Sequence, residues 1–246
     1  MLCSHVDQLV LASASPRRLE LLQQIGVNCL VLPVNIPEVP EPNETPEHYV
    51  VRLALEKARA GHSAMVNKDM VNKGMVNKGI VNTAMLNKDV LYKNERQVLP
   101  VLGADTVVVL DHQAADTCND SKSAAEILEK PRDKDDANRM LGLLSGRVHT
   151  VMSAVAMVDG EQERYLINQT RVHFRRIDDF EKTAYWETGE PADKAGGYGI
   201  QGLGSVFVEK IEGSYSGVMG LPIVETCQLL TQFKVSYWNA TNRYKS

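Results

Sequence analysis

Cysteine is sparse and scattered: Cys3, Cys29, Cys118 and Cys227 make no CxxC pair. No disulfide framework follows from such spacing, and a reducing, cytoplasmic setting is the simplest expectation. No apolar run approaches the roughly 18–20 residues of a membrane-spanning helix. No basic segment precedes the short apolar stretch in MLCSHVDQLVLASASPRR, so it does not read as a signal peptide. Positive charge is not in excess either. Lys and Arg number 27 against 31 Asp and Glu, for a net charge of −4 and a pI near 5.9. That balance argues against a generally basic nucleic-acid-binding surface, though not against a local anion site, and no stable nucleic-acid binding is expected. His48, His62, His112, His149 and His173 fall at unrelated spacings and give no zinc pattern. Neither a P-loop nor a Rossmann fingerprint is present, and Ser214 and Ser216 lack a nucleophile elbow.

What is present is a globular composition, 43% hydrophobic and 24% charged over 246 residues, enough for a sizeable core. Gln8–Ala14 reads as a buried strand. Ser15 and Pro16 suit the N-cap and first position of a helix that runs through Leu19, Leu21, Leu22 and Ile25 and stops at Gly26. Val27–Leu32 is a second strand, Pro33–Pro46 a proline-rich loop, and Thr45-Pro46 opens a helix to about Gly61. Gln97–Leu110 reads as one long strand and Glu126–Lys130 as a short one, with an enlarged turn over Asp111–Ala125 between them. A helix over Asp133–Leu144 precedes two strands, Val148–Val158 and Arg164–Phe174, joined at Asp159-Gly160. A helix over Asp178–Thr188, a glycine-rich stretch over Pro191–Gly204, a strand over Ser205–Ile211 and a closing helix over Leu221–Phe233 complete the pattern. Such mixing predicts an α/β fold on a mixed sheet.

Residues 65–89 read MVNKD MVNKG MVNKG IVNTA MLNKD, a five-residue repeat in five copies. That period matches neither helix nor strand, so no one face stays apolar. Residues 62–96 are accordingly a low-complexity insertion, which either continues the preceding helix for a turn or two or loops out. An inert role is its default, because surface insertions cost little closure entropy. Residues 234–246 read as a polar, fraying tail.

Four stretches carry chemistry. Ser13-Ala14-Ser15-Pro16-Arg17-Arg18 sets two hydroxyls and two guanidiniums at a helix N-terminus, a good phosphate cradle; a capped helix with two solvated arginines reads the same residues. Asp105 interrupts an apolar strand beside Gly103 and Thr106, and a buried carboxylate needs a cation, a metal or a substrate-facing position. Glu129 and Lys130 end a strand; Glu129, with Asp105 and the loop acids Glu38, Glu41 and Glu44, could supply oxygen ligands for Mg²⁺. In DKAGGYGIQG, Lys194 suits a phosphate and Gln201 a base edge, while Tyr198 also reads as core.

LASASPRR, EKARA at Glu56–Ala60, GADT, LEKPRD, MLGLLSGRVHTV, DKAGGYGIQG and GSYSGVMGLPIVET, in that order from Val10 to about Phe233, resemble the Maf family of nucleoside triphosphate pyrophosphatases. The resemblance implies one domain over residues 1–246: two lobes on a mixed sheet with flanking helices and a central cleft, of the Maf and inosine-triphosphatase kind. It also implies hydrolysis of the α–β phosphoanhydride with a divalent cation, Mg²⁺ or Mn²⁺, in a house-cleaning role. By motif, Ser13, Arg17 and Arg18 would hold the triphosphate and Lys57 and Lys130 would neutralise it. Asp105 would accept the proton of water, and Glu38 and Glu129 with Asp105 would contact the metal. Arg17, Thr106 and Gln201 match positions linked in the family to substrate choice. The YGIQG form resembles the branch acting on dTTP and UTP, with 7-methyl-GTP hydrolysis, or a non-catalytic nucleotide-binding regulator of cell division, as the alternatives. A homodimer is the default assembly on frequency alone.

Overall fold

The computed structural model describes residues 8–72, 92–94, 97–110 and 125–238. Cys3, Cys118, His112, most of the repeat, and most of the turn expected over Asp111–Ala125 lie outside them. The first strand, β1 (Leu9–Leu11), leads into α1 (Pro16–Gln24), which starts at the expected proline and ends before Gly26, whose φ of +75° a glycine adopts without strain. Then come β2 (Cys29–Val31), the long helix α2 (Pro46–Asn72), a two-stranded ribbon of β3 (Tyr92–Asn94) and β4 (Gln97–Val98), β5 (Val101–Leu110) and β6 (Glu126–Leu128). The chain continues through α3 (Lys134–Leu144), β7 (Val148–Val158), β8 (Glu163–Phe174), α4 (Asp179–Glu187), β9 (Val208–Glu212), α5 (Tyr215–Met219) and α6 (Ile223–Gln232).

Seven strands form one mixed sheet, six of them in the order β2-β1-β5-β7-β8-β9 and the seventh, β6, paired with β5. Its centre is β5. One edge pairs antiparallel with β7 from Val101 to Val109. The other edge is shared: β1 runs parallel to it at Val101 and Leu102, and β6 antiparallel at Val108 to Leu110. Between these two partners lie Gly103 to Val107, where the neighbouring strands diverge. A parting of strands at the sheet centre is where open α/β sheets place their ligands.

Side chains alternate across the sheet. One face of β5 meets α2: Val107 and Val109 pack with Tyr49, Val50, Leu53, Ala54 and Ala58. The opposite face splits into two cores. Leu102 and Ala104 join Leu21, Leu22, Leu229 and Leu230 from α1 and α6, whereas Val108 and Leu110 join Met140, Leu141, Leu144, Phe174, Tyr185 and Tyr198. On β7, Val155 and Met157 belong to the first core and Val151 to the second. Thr106 and Ser153 fall at the boundary between these two cores.

Several boundaries differ from expectation. Pro100, with no amide proton, separates β4 from β5 where one strand was expected. Helix α2 continues past Gly61 to Asn72, through the first repeat copy, because Met65 finds an apolar site against Val10, Ala12, Leu99 and Val101. The glycine-rich stretch folds as short 3-10 turns at Glu190–Asp193, Ala195–Gly197 and Leu203–Phe207, so β9 begins at Val208. Helix α5 was not anticipated. Glu129 and Lys130 lie just beyond β6 rather than in it. The tail does not fray at once: Val235 is buried in the first core and the Trp238 amide donates to the Ile25 carbonyl at 2.6 Å. Among the described residues no helix is long and apolar enough to cross a membrane.

Gly103 sets the distance between α2 and β5. A methyl group there would collide with the Ala54 carbonyl oxygen and approach the Ala58 nitrogen to 2.6 Å. Gly103→Ala is expected to lower the unfolding free energy by about 1–3 kcal/mol in urea denaturation, since α2 must be pushed off the sheet. An unchanged midpoint would mean that the helix does not rest there.

Candidate active site

A cleft of about 450 Å³ opens over the parting of β1 and β6. It brings together Ser13, Arg17, Arg18, Glu38, Lys57, Asp105, Thr106, Glu129, Lys130, Lys194 and Gln201, whereas the loop acids Glu41 and Glu44 lie outside it, against Arg52. The cleft residues arrive from several elements, each placed for a local reason. β1 ends at the divergence and turns through Ser13 into α1, so the N-terminus of α1 faces the cleft. The Ser15 hydroxyl makes no capping bond there, and Ser13 Oγ instead accepts from the Ser15 amide at 3.2 Å. Helix α2 lies close on β5 over Gly103, which places Lys57, between Ala54 and Ala58, above Asp105.

Lys57 and Asp105 are both buried, at 8% and 7% exposure, and their Nζ–Oδ1 distance is 2.6 Å. Lys57 Nζ also lies 2.6 Å from Glu38 Oε1, and Lys130 reaches the other Glu38 oxygen at 3.9 Å. Burial pushes the Asp105 carboxyl above the usual carboxylate range; Lys57 and Arg18 pull it back without cancelling the shift, and Glu38 adds to it. Glu38 goes the other way. Burial opposes its ionisation, but the hydrogen bond and charge of Lys57, with Lys130 and Arg18, hold it below its ordinary value. Two nearby carboxylates are thereby pushed apart, the arrangement that separates a base from a charge carrier.

Arg18 is held by its surroundings. Its Nε donates to the Gly220 carbonyl at 2.8 Å, Nη1 to Ser13 Oγ at 3.1 Å and Nη2 to Thr106 Oγ1 at 3.5 Å. Arg17 lies 3.6 Å from Asp193, and Lys194 donates to Asp193 at 2.7 Å and to the Glu190 carbonyl at 2.8 Å. Gln201 is exposed at the rim. Tyr198 is core as well as wall: it is 5% exposed and bonded to His149 at 2.8 Å. Burial depresses the His149 pKa to about 3, so this histidine is neutral.

Tyr49 was missed by the sequence reading. Its hydroxyl donates to Glu129 Oε1, and burial together with that carboxylate pushes its pKa upward, so it keeps its proton. The only signal in the sequence was a polar-tipped aromatic on the apolar stripe of α2. The expected triad of metal ligands is not a ready-made site. Among the described residues no three Asp, Glu, His or Cys side chains converge on one point, because Lys57 stands between Glu38 and Asp105 and Tyr49 takes Glu129. Glu38, Asp105 and Glu129, set apart around a cleft lined with cations, fit a divalent ion that arrives with phosphate oxygens of its own.

A profile of the Maf-like protein family matches residues 8–233. The chain belongs to the Maf-like family. Relatives named dTTP/UTP pyrophosphatase cover nearly all of it. The protein of Alkalilimnicola ehrlichii is 44% identical over 229 residues, 93% of this chain and 94% of its own. That of Saccharophagus degradans is 44% identical over 230 residues, 94% and 90% of the two chains, and that of Escherichia coli O157:H7 is 45% identical over 228 residues, 93% and 94%. The ionisation of the cleft in this Maf-like chain is open to direct test. A raised pKa means that ionised Asp105 opposes folding at every pH above its unfolded value, near 3.9. Asp105→Asn is therefore expected to melt at or above the parent temperature at neutral pH, the difference vanishing in acid. A lower melting temperature at pH 7 would show that the pair with Lys57 outweighs the cost of burial.

Proposed function

We propose that this Maf-like protein is a dTTP/UTP pyrophosphatase, cleaving the α–β phosphoanhydride to a nucleoside monophosphate and pyrophosphate. One observation carries the reading. The cleft of a chain 44% identical to relatives of that name holds a buried aspartate of raised pKa, walled by Arg17, Arg18, Lys57, Lys130 and Lys194. Phosphoryl chemistry asks mainly for charge neutralisation and positioning, and these cations supply both.

Arg17, Arg18 and Ser13 meet the phosphates at the N-terminus of α1, where backbone amides and the helix dipole favour an anion. Asp105 takes the proton of the attacking water; a carboxylate held above its ordinary pKa is the stronger base. The water oxygen bonds to the α-phosphorus, the bond to the bridging oxygen breaks, and its electron pair leaves with pyrophosphate. Lys57 keeps Asp105 ionised and, with Lys130, balances the phosphates. Glu38, Asp105 and Glu129 would hold a Mg²⁺ or Mn²⁺ ion delivered with the nucleotide, which would further neutralise the phosphates. Thr106 and Gln201 face the nucleoside. No feature of the cleft favours 7-methyl-GTP or binding without turnover.

Release of pyrophosphate from dTTP, UTP, CTP, GTP and 7-methyl-GTP, with Mg²⁺, Mn²⁺ or chelator, tests the reading. Metal-dependent turnover of dTTP and UTP is expected, reduced by roughly 10²-fold or more in Asp105→Asn. Turnover confined to 7-methyl-GTP, or none from folded protein, would overturn it. The acid limb of kcat/KM should lie above the ordinary aspartate range of about 4. Lys57→Gln should move that limb to still higher pH, because Lys57 lowers the Asp105 pKa.

A further inference from the structure

Ser153 lies on β7 directly opposite Thr106 of β5 and is fully buried. It does not line the cleft, whereas Thr106 does. Ser153 Oγ stands 2.7 Å from the Gly217 carbonyl oxygen of α5 and 2.8 Å from Thr106 Oγ1. Two oxygens this close require a proton between them. A carbonyl has none to give, so the Ser153 hydroxyl donates to Gly217, and that is its only proton. The contact with Thr106 must then be made with the proton of Thr106. The Thr106 hydroxyl is left with only lone pairs to offer elsewhere, and its other hydrogen-bonding neighbour among the described residues, Arg18 Nη2 at 3.5 Å, is a donor. The arrangement is rigid: Gly217 sits in α5, whose capping Ser214 receives the Gly217 amide at 3.0 Å, and Arg18 Nε is fixed on Gly220 just beyond.

We propose that Ser153 is a positioning residue for base selection: by donating to Gly217 and accepting from Thr106, it holds Thr106 as a pure hydrogen-bond acceptor toward the cleft. An acceptor there favours a ligand group bearing N–H and disfavours one that can only accept. Uracil and thymine carry a hydrogen on N3, whereas the N3 of cytosine is a bare acceptor. The inference rests on the pyrimidine triphosphate reading above and adds to it the group that sets the polarity of Thr106. Without Ser153 the Thr106 proton is free to turn toward the cleft, and Thr106 can then donate to cytosine N3.

The test is a double-mutant cycle on the full-length protein with UTP and CTP, read as the ratio of their kcat/KM values. Wild type should prefer UTP. Ser153→Ala should cut that preference by about fivefold, the equivalent of one neutral hydrogen bond. Thr106→Val should cut it similarly, and the double variant no further, because both changes remove one device. Ser153→Cys, close in size and a poor donor, takes the place of Ser153→Ala if the latter does not fold, with a loss in the same direction. An unchanged ratio overturns the proposal, and so does an equal fall for both nucleotides with a lowered Tm, which is what a merely structural serine would give. Additive losses would also overturn it. If wild type turns over neither nucleotide, the pyrophosphatase reading fails separately. The ratio of UTP and CTP dissociation constants from calorimetry then decides the role of Ser153 by the same outcomes.

Discussion

Lys57 reaches Asp105 under a helix that could not lie where it does over any residue but glycine. Ala54, Ala58 and Gly103 bring the two backbones together, and Lys57 and Asp105, on the same faces and one step along, are pressed into a contact at 2.6 Å. Burying the two charges costs more than an exposed pair would return, so the contact is weak evidence for stability. Its value lies in what it does to ionisation. The aspartate is kept charged by the lysine and made basic by burial, and Glu38 is drawn to the same ammonium from the opposite wall.

The cleft is the boundary between two apolar cores. Along the sheet face opposite α2, each long strand places a polar residue where one core ends and the next begins: Thr106 on β5, Ser153 on β7 and Asn168 on β8, aligned by register. Buried polar groups need partners. Here α5 and the first turn of α6 supply them. Gly217 accepts from Ser153, and Asn168 and Thr170 are linked to Glu225 and Ser214 around the same short helix. The segment from Ser214 to Gly220 thus acts through its backbone as a bracket that joins the two cores and carries Arg18 on the Gly220 carbonyl.

Much of the site was legible because its residues break local rules. Asp105 interrupts an apolar strand, and Ser13, Arg17 and Arg18 crowd a helix start marked by Ser15 and Pro16. Glu129 and Lys130 were weak alone, and the cleft collects them all. The misses share a different character. Ser153 and Tyr49 sit in strand and helix patterns that look like ordinary core, and nothing local distinguishes them. Gly103 stands in the sequence only as a glycine inside an apolar strand, and it is the backbone of α2 that lies against it. The repeat was read by its period, yet Met65 is buried because a pocket between β1 and β5 happens to lie beneath it. The metal ligands were grouped by charge, and a lysine stands between two of them.

The sequence by itself determined the alternation of elements, the starts of α1 and α2, the apolar faces, and the presence of a costly buried carboxylate beside anion-binding arginines. Those follow from periodicity, capping chemistry and desolvation, which act over a few neighbouring residues. Only the tertiary structure decided that β5 would share one edge between β1 and β6, and that the opening there would hold residues drawn from distant parts of the chain. It alone decided which cation faces Asp105 and in which direction the Thr106 proton points. Those depend on atoms brought within 3 Å across 47 or more residues of chain, and no local pattern carries that information.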